Sequence, residues 1–242
     1  MLRKGILIGG IGTVVAALAW FTVVFGPSAP MTGDFDVAGL GIFAAVWIVG
    51  MVAMMLPSLV PMILIVSSTA ARRRDKSMGS SAVLQTLVFG LGYFATWLGV
   101  GLVAYVALLL AFRYPLAFIS GGQLGGVAAG LAVALAGLYQ LSPLKKRALR
   151  ACRSPMDFVM TRWREGTTGS FLMGFDYGFF CAKCCWAFMA VLVFVGGMSL
   201  LWMALFAGVI FVEKLAPRGV LVSAILAIGL LVGGVALALL AM

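Results

Sequence analysis

The chain has 242 residues, of which 64% are hydrophobic and only 10% charged. A soluble domain is roughly half apolar and a quarter charged, so this composition describes a polytopic membrane protein. The net charge of +10 does not point to nucleic acid, because the cations sit in short stretches between apolar runs, where membrane orientation places them.

Seven apolar segments follow along the chain, at 5–25, 37–66, 82–112, 124–141, 171–197, 200–212 and 219–241. Most approach the ~20 residues needed to cross a bilayer. The first follows Arg3 and Lys4 and is followed by "GPSAPM". It is longer than the usual signal-peptide core of about 7–15 residues and no clean A-x-A site follows, so a retained anchor is expected. The sixth is short, and the "GGMS" before it (196–199) reads as a tight turn. Between the fourth and fifth segments, 142–170 is the one sizeable polar stretch, with Pro143 and Pro155 as breakers around "LKKRALRACR". It reads as a basic cytoplasmic juxtamembrane helix on anionic lipid and leaves no room for a separate soluble domain. The expected architecture is all-α, a single transmembrane helical domain over 1–242 with about seven spans. No internal repeat stands out, so an inverted-repeat transporter is not supported.

Placing the N-terminus in the cytoplasm puts fifteen of the seventeen basic residues inside. These are Arg3, Lys4, Arg72, Arg73, Arg74, Lys76, Lys145, Lys146, Arg147, Arg150, Arg153, Arg162, Arg164, Lys214 and Arg218. Arg113 alone falls outside, Lys183 lies within a span, and Asp34 and Asp36 occupy the first external loop. The positive-inside rule therefore favours an N-in, C-out topology in a bacterial inner membrane.

The fifth segment carries "GFFCAKCCWAF" (178–188), with three of the four cysteines of a chain that has no histidine. Spacings of three and four put Cys181, Cys184 and Cys185 on one helix face. Tyr177 and Phe188 extend that face, and Gly174 and Gly178 open it to a neighbouring helix in a G-x-x-x-G pattern. Lys183 points away, with Asp176, seven residues earlier, or Glu213 as candidate partners. An ionisable residue at membrane depth is a functional candidate by default. Cysteine is also a small buried apolar residue, and a redox C-x-x-C pair of Cys181 and Cys184 stays open. A structural disulfide is disfavoured within one helix near a reducing compartment.

The second segment carries "WIVGMVAMMLPSLVPM", with Met51, Met54 and Met55 at i, i+3 and i+4. Trp47, Ser58 and Met62 continue that face. Methionine as core filler is common, but Pro57 and Pro61 kink a helix and free the carbonyls near Ala53 and Pro57. Irregular backbone at this depth belongs against protein or a cavity. At 1.5 Å per residue, 51–55 and 181–185 reach a similar depth, so the two faces are candidates to meet. Thiolate plus thioether without imidazole selects Cu(I), and less specifically zinc. A bound cation also compensates thiolates held in lipid. The absence of histidine excludes His-ligated haem and His-based acid–base catalysis and argues against a Cys₂His₂ zinc site. The last segment lacks the lysine that a retinal protein carries there.

The stretches "MVAMMLPSLVPM" (51–62), "GLYQLSPLKKRALRACRSP" (137–155), "GFDYGFFCAKCCWAFM" (174–189) and "LLWMALFAGVIFVEKLAPRG" (200–219) together resemble a bacterial family. It comprises integral membrane proteins of unknown function, known only as predicted metal-binding. The resemblance runs from the second segment to the last. It implies roles for Met54, Met55, Pro57, Cys181, Cys184, Cys185, Trp186, Met189, Glu213 and Lys214. The family's basic loop often carries two cysteines four apart; here the first position is Ala148 and only Cys152 remains, so a metal pair is not expected in that loop.

The leading expectation is a membrane protein that binds Cu(I) through Cys181, Cys184, Cys185 and thioethers of Met51, Met54 or Met55, with Glu213 at the cytoplasmic entrance. Its task would be delivery to a partner metalloenzyme or soluble metal carrier, or transport, rather than catalytic turnover. The alternatives are a membrane thiol–disulfide or electron-transfer protein, and an accessory subunit of a membrane complex with packed cysteines.

Overall fold

A computed structural model of the chain describes residues 2–26, 37–73, 81–113, 123–196 and 200–242. Among them every regular element is an α-helix: α1 (Leu2–Phe25), α2 (Val37–Arg73), α3 (Ala82–Arg113), α4 (Gln123–Leu141), α5 (Pro143–Arg153), α6 (Pro155–Arg162), α7 (Gly166–Gly196), α8 (Leu200–Leu215) and α9 (Gly219–Leu240). Each of the seven apolar segments coincides with a helix, and the basic stretch forms α5 and α6. Proline opens both short helices, at the position where its missing N–H is an orphan anyway.

Four helices, α2, α3, α7 and α9, are long and apolar enough to cross a membrane. A fifth candidate is α4 with α5, a pair bent by 64° at Ser142. The apolar stretch Gly9–Phe25 of α1 and the 16-residue α8 are shorter. At 1.5 Å per residue α8 rises about 24 Å, against a hydrocarbon core of about 30 Å. Length and composition thus support four or five spans. Asp34, Asp36, Arg74, Lys76 and most of the 196–199 turn lie outside the described residues.

The chain gathers into two compact units. The first comprises Met1–Ser28, Ala44–Gly101 and Arg150–Ala182. Here α3 and α7 pack backbone to backbone. A Cβ on Gly174 would collide with the Phe89 carbonyl, one on Gly92 with the Phe171 carbonyl, and one on Gly178 would stand 2.6 Å from Thr96 Oγ1. Thr96 Oγ1 uses the closeness to donate to the Phe175 carbonyl at 3.0 Å. The expected role of Gly174 and Gly178 is therefore met, with α3 as the neighbour. On α3, Gly101 makes room for the Trp47 indole, whose Nε1 donates to the Trp97 carbonyl at 2.8 Å.

The second unit comprises Ala29–Phe43, Leu102–Leu149 and Lys183–Met242. Its α4 and α9 meet along small residues. A Cβ on Gly130 would stand 2.5 Å from the Ala238 nitrogen and 2.6 Å from the Gly234 carbonyl. Such contact suits a lipid-facing pair, where packing rather than water exclusion drives association.

The distribution of side chains is itself informative. Leu87, Leu91, Val103, Val106, Leu131 and Val232 are exposed, while Trp47, Met51, Met54, Met55 and Met62 are buried. In lipid an aliphatic side chain gains little by burial, because hydrocarbon is as apolar as leucine. The methionine face of α2 is thus enclosed although aliphatic side chains of α3, α4 and α9 are exposed.

Candidate functional site

The methionine face lies wholly within α2 and is buried along its length. Trp47, Met51, Met54, Met55, Ser58 and Met62 are all inaccessible or nearly so, and Met55 is fully enclosed. α2 remains one helix through Pro57 and Pro61, each of which removes a donor to the carbonyl four residues before it, Ala53 and Pro57. Ser58 Oγ donates back to the Met55 carbonyl at 2.9 Å. The polar groups freed by the prolines thus sit on the same helix as the thioethers.

The cysteines of α7 are equally buried, at 1% exposure for Cys181 and Cys184 and 0% for Cys185. α7 is continuous across them, so spacings of three and four keep them on one face. None of the four cysteines is joined in a disulfide. Among the described residues no group of three or more Cys, Asp or Glu side chains stands close enough to hold a metal ion. The chemistry of the donors nonetheless suits a soft ion, since thiols and thioethers are buried and histidine is absent.

In the first unit, Cys181 sits among aromatic rings. Its Sγ is 3.0 Å from Tyr93 Oη, and Tyr93 lies beside Tyr177, ring centroids 6.0 Å apart. Tyr177 packs on Phe89 and Phe158 and donates from Oη to the Cys152 carbonyl at 3.2 Å. Cys152 is thereby part of the wall of this core, through its backbone. Asp176 is half-buried and pairs with Arg164 at 3.3 Å and Arg162 at 3.8 Å. It was expected to face Lys183. The two arginines, from α6 and the turn after it, reach it instead, because the 142–170 stretch folds back on α7 rather than lying away as a simple basic helix.

In the second unit, Cys184 and Cys185 neighbour a buried ion pair that sequence reasoning missed. Lys145 and Glu213 are both 0% exposed, with Nζ to Oε2 at 2.8 Å. Lys145 Nζ also donates to the Cys184 carbonyl and stands 5.1 Å over the Phe188 ring. The ring in turn packs on Phe206, and Phe206 on Trp202. Tyr139 Oη donates to the Lys183 carbonyl, and its ring meets Trp186 edge-on. Trp186 is half exposed and Met189 is buried.

Two expectations are corrected here. Lys145 was counted with the exposed basic stretch, whereas it is a fully buried cation of α5. Glu213 was expected at the cytoplasmic entrance; it is fully enclosed, and its Oε2 is engaged by Lys145. One signal in the sequence does find Lys145. It shares with Ala148, Leu149 and Cys152 the i, i+3, i+4, i+7 spacing of a buried stripe, and all four are buried.

A family model for PpoB2, a copper chaperone, matches residues 44–237. No curated protein and no solved structure matches the chain.

Proposed function

We infer the function from one premise: the chain belongs to the PpoB2 copper chaperone family. It is a multi-pass protein of a bacterial inner membrane that takes up Cu(I) as cargo and hands it to a partner metalloenzyme or soluble carrier. Cys181, Cys184 and Cys185 supply thiolates, and Met51, Met54 and Met55 supply thioethers. The seven helical segments cross or enter the bilayer with the N-terminus in the cytoplasm and the C-terminus outside, and the exposed cations of α5 and α6 rest on anionic lipid.

The observation that carries this reading is the burial of those six soft donors, none more than 2% exposed, in a family of copper proteins. Thiolates and thioethers are both soft donors that favour the monovalent ion, and a thioether adds no charge, so each thioether that stands in for a thiolate lowers the net negative charge of the centre in a low-dielectric interior. Prolines in α2 leave carbonyl groups on the methionine helix that ease passage of a cation.

The test is elemental analysis of protein purified from copper-replete cells. Wild type carries about one copper per chain, and the Cys181→Ser, Cys184→Ser, Cys185→Ser triple variant carries almost none while remaining folded. Wild type without copper under those conditions overturns the reading.

A further inference from the structure

Beyond the ligands themselves, the second unit contains a group that no metal-binding role yet explains. Lys145 is one of the largest fully buried side chains of the protein, and it is an ammonium. Enclosing a lysine–glutamate pair is at best neutral for stability, because desolvation offsets the Coulomb attraction, and apolar residues of similar volume serve as well or better. A fold that needed only filling at this position has leucine available. The pair is also not isolated. Its ammonium is hydrogen-bonded to the carbonyl of Cys184 itself, and Cys185 follows directly in the chain. Lys145, the Phe188 ring and Cys184 therefore form one local arrangement, with Glu213 anchoring the far side of the cation.

We propose that Lys145 is a positioning residue for copper at Cys184 and Cys185: it fixes the Cys184 backbone and sets a permanent positive charge beside the two sulfurs. The inference rests on the copper reading above. Two thiolates around a monovalent ion leave a net negative charge, and in a low-dielectric interior that charge requires a nearby cation. Lys145 supplies it from α5, held in place by a glutamate from α8. Glu213 acts through Lys145 by fixing where its ammonium sits. The arrangement also discriminates among cargo. An anionic copper–thiolate centre is stabilised by the lysine, whereas a divalent ion with the same two thiolates is neutral and gains less from it.

The experiment compares wild type with Lys145→Met and with the Lys145→Met/Glu213→Leu double variant, each as full-length protein in lipid nanodiscs. Copper retention is read by titration with a Cu(I)-specific chelator, the thiolate-to-copper charge-transfer absorption reports the ligands, and thermal unfolding reports the fold. The double variant removes both members of the pair together, so it folds with an unfolding midpoint near or above that of wild type. Its copper affinity falls about 10–100-fold, as for other residues that orient metal ligands, and its charge-transfer band loses intensity. A double variant that retains copper and the band at wild-type strength overturns the proposal and leaves Lys145–Glu213 a packing device. Wild type that binds no copper overturns the underlying reading instead, so the two failures are distinguishable.

Discussion

One turn of α7 separates two cysteines with opposite surroundings. Cys181 meets a neutral tyrosine hydroxyl within a nest of rings, while Cys184 offers its carbonyl to a buried ammonium that is itself ion-paired. The first environment is what any well-packed helix core provides, since a thiol is a small apolar group with a weak hydrogen bond. The second requires two charges to leave water and is retained only where something local makes use of them. Burial alone therefore does not rank the cysteines; the charge of the neighbours does. By that measure Cys184 adjoins a buried ion pair, and Cys181 lies in a setting that also suits a structural thiol.

Five variants break or sharpen this contrast. Lys145→Met alone strands the Glu213 carboxylate and has the largest effect, a loss of about 3–5 kcal/mol, seen as a large drop in unfolding midpoint in detergent. The double Lys145→Met/Glu213→Leu variant recovers most of it. Gly174→Ala forces a methyl group into the Phe89 carbonyl and costs about 1–3 kcal/mol by overpacking, measured by the same unfolding assay. Tyr93→Phe removes the hydroxyl beside Cys181 and costs about 0.5–1.5 kcal/mol. Its copper content separates the two environments: unchanged copper places the cargo at Cys184 and Cys185, and a loss comparable to that of Cys184→Ser erases the distinction. Arg164→Gln is the mildest, within about 0.5 kcal/mol, because Asp176 keeps Arg162 and the pair is partly exposed.

Much of the helical framework was legible in the residue order. Hydropathy placed every apolar segment on a helix, and periodicity put the methionine stripe and the cysteine stripe on buried faces. The start of α7 was set five residues late, at 171 rather than Gly166, because "GTTGS" is polar and small and gives no apolar signal. Crossing the membrane was less legible, since a run as short as α8 is apolar enough but falls short in length. Charge partners were hidden for a different reason. Asp176 was matched to the nearest charge on its own helix, whereas its arginines arrive from α6 and the turn beyond. Lys145 was read by composition, as one cation in a basic run, although its spacing to Leu149 and Cys152 marked it as inward-facing. The lesson is that a lysine within a basic stretch has to be judged by its position on the helix before it is counted with its neighbours.

The ion pair has a consequence for how the protein is made. Lys145 and Glu213 are 68 residues apart in the chain, so at a synthesis rate of about 5–20 residues per second the lysine waits roughly 3–14 s for its carboxylate. During that interval the half-built chain carries a cation bound for the interior before the carboxylate that pairs with it exists. A chain that stops before α8, or inserts α8 wrongly, keeps that mark. The pair is complete only once α8 has been made and has reached Lys145.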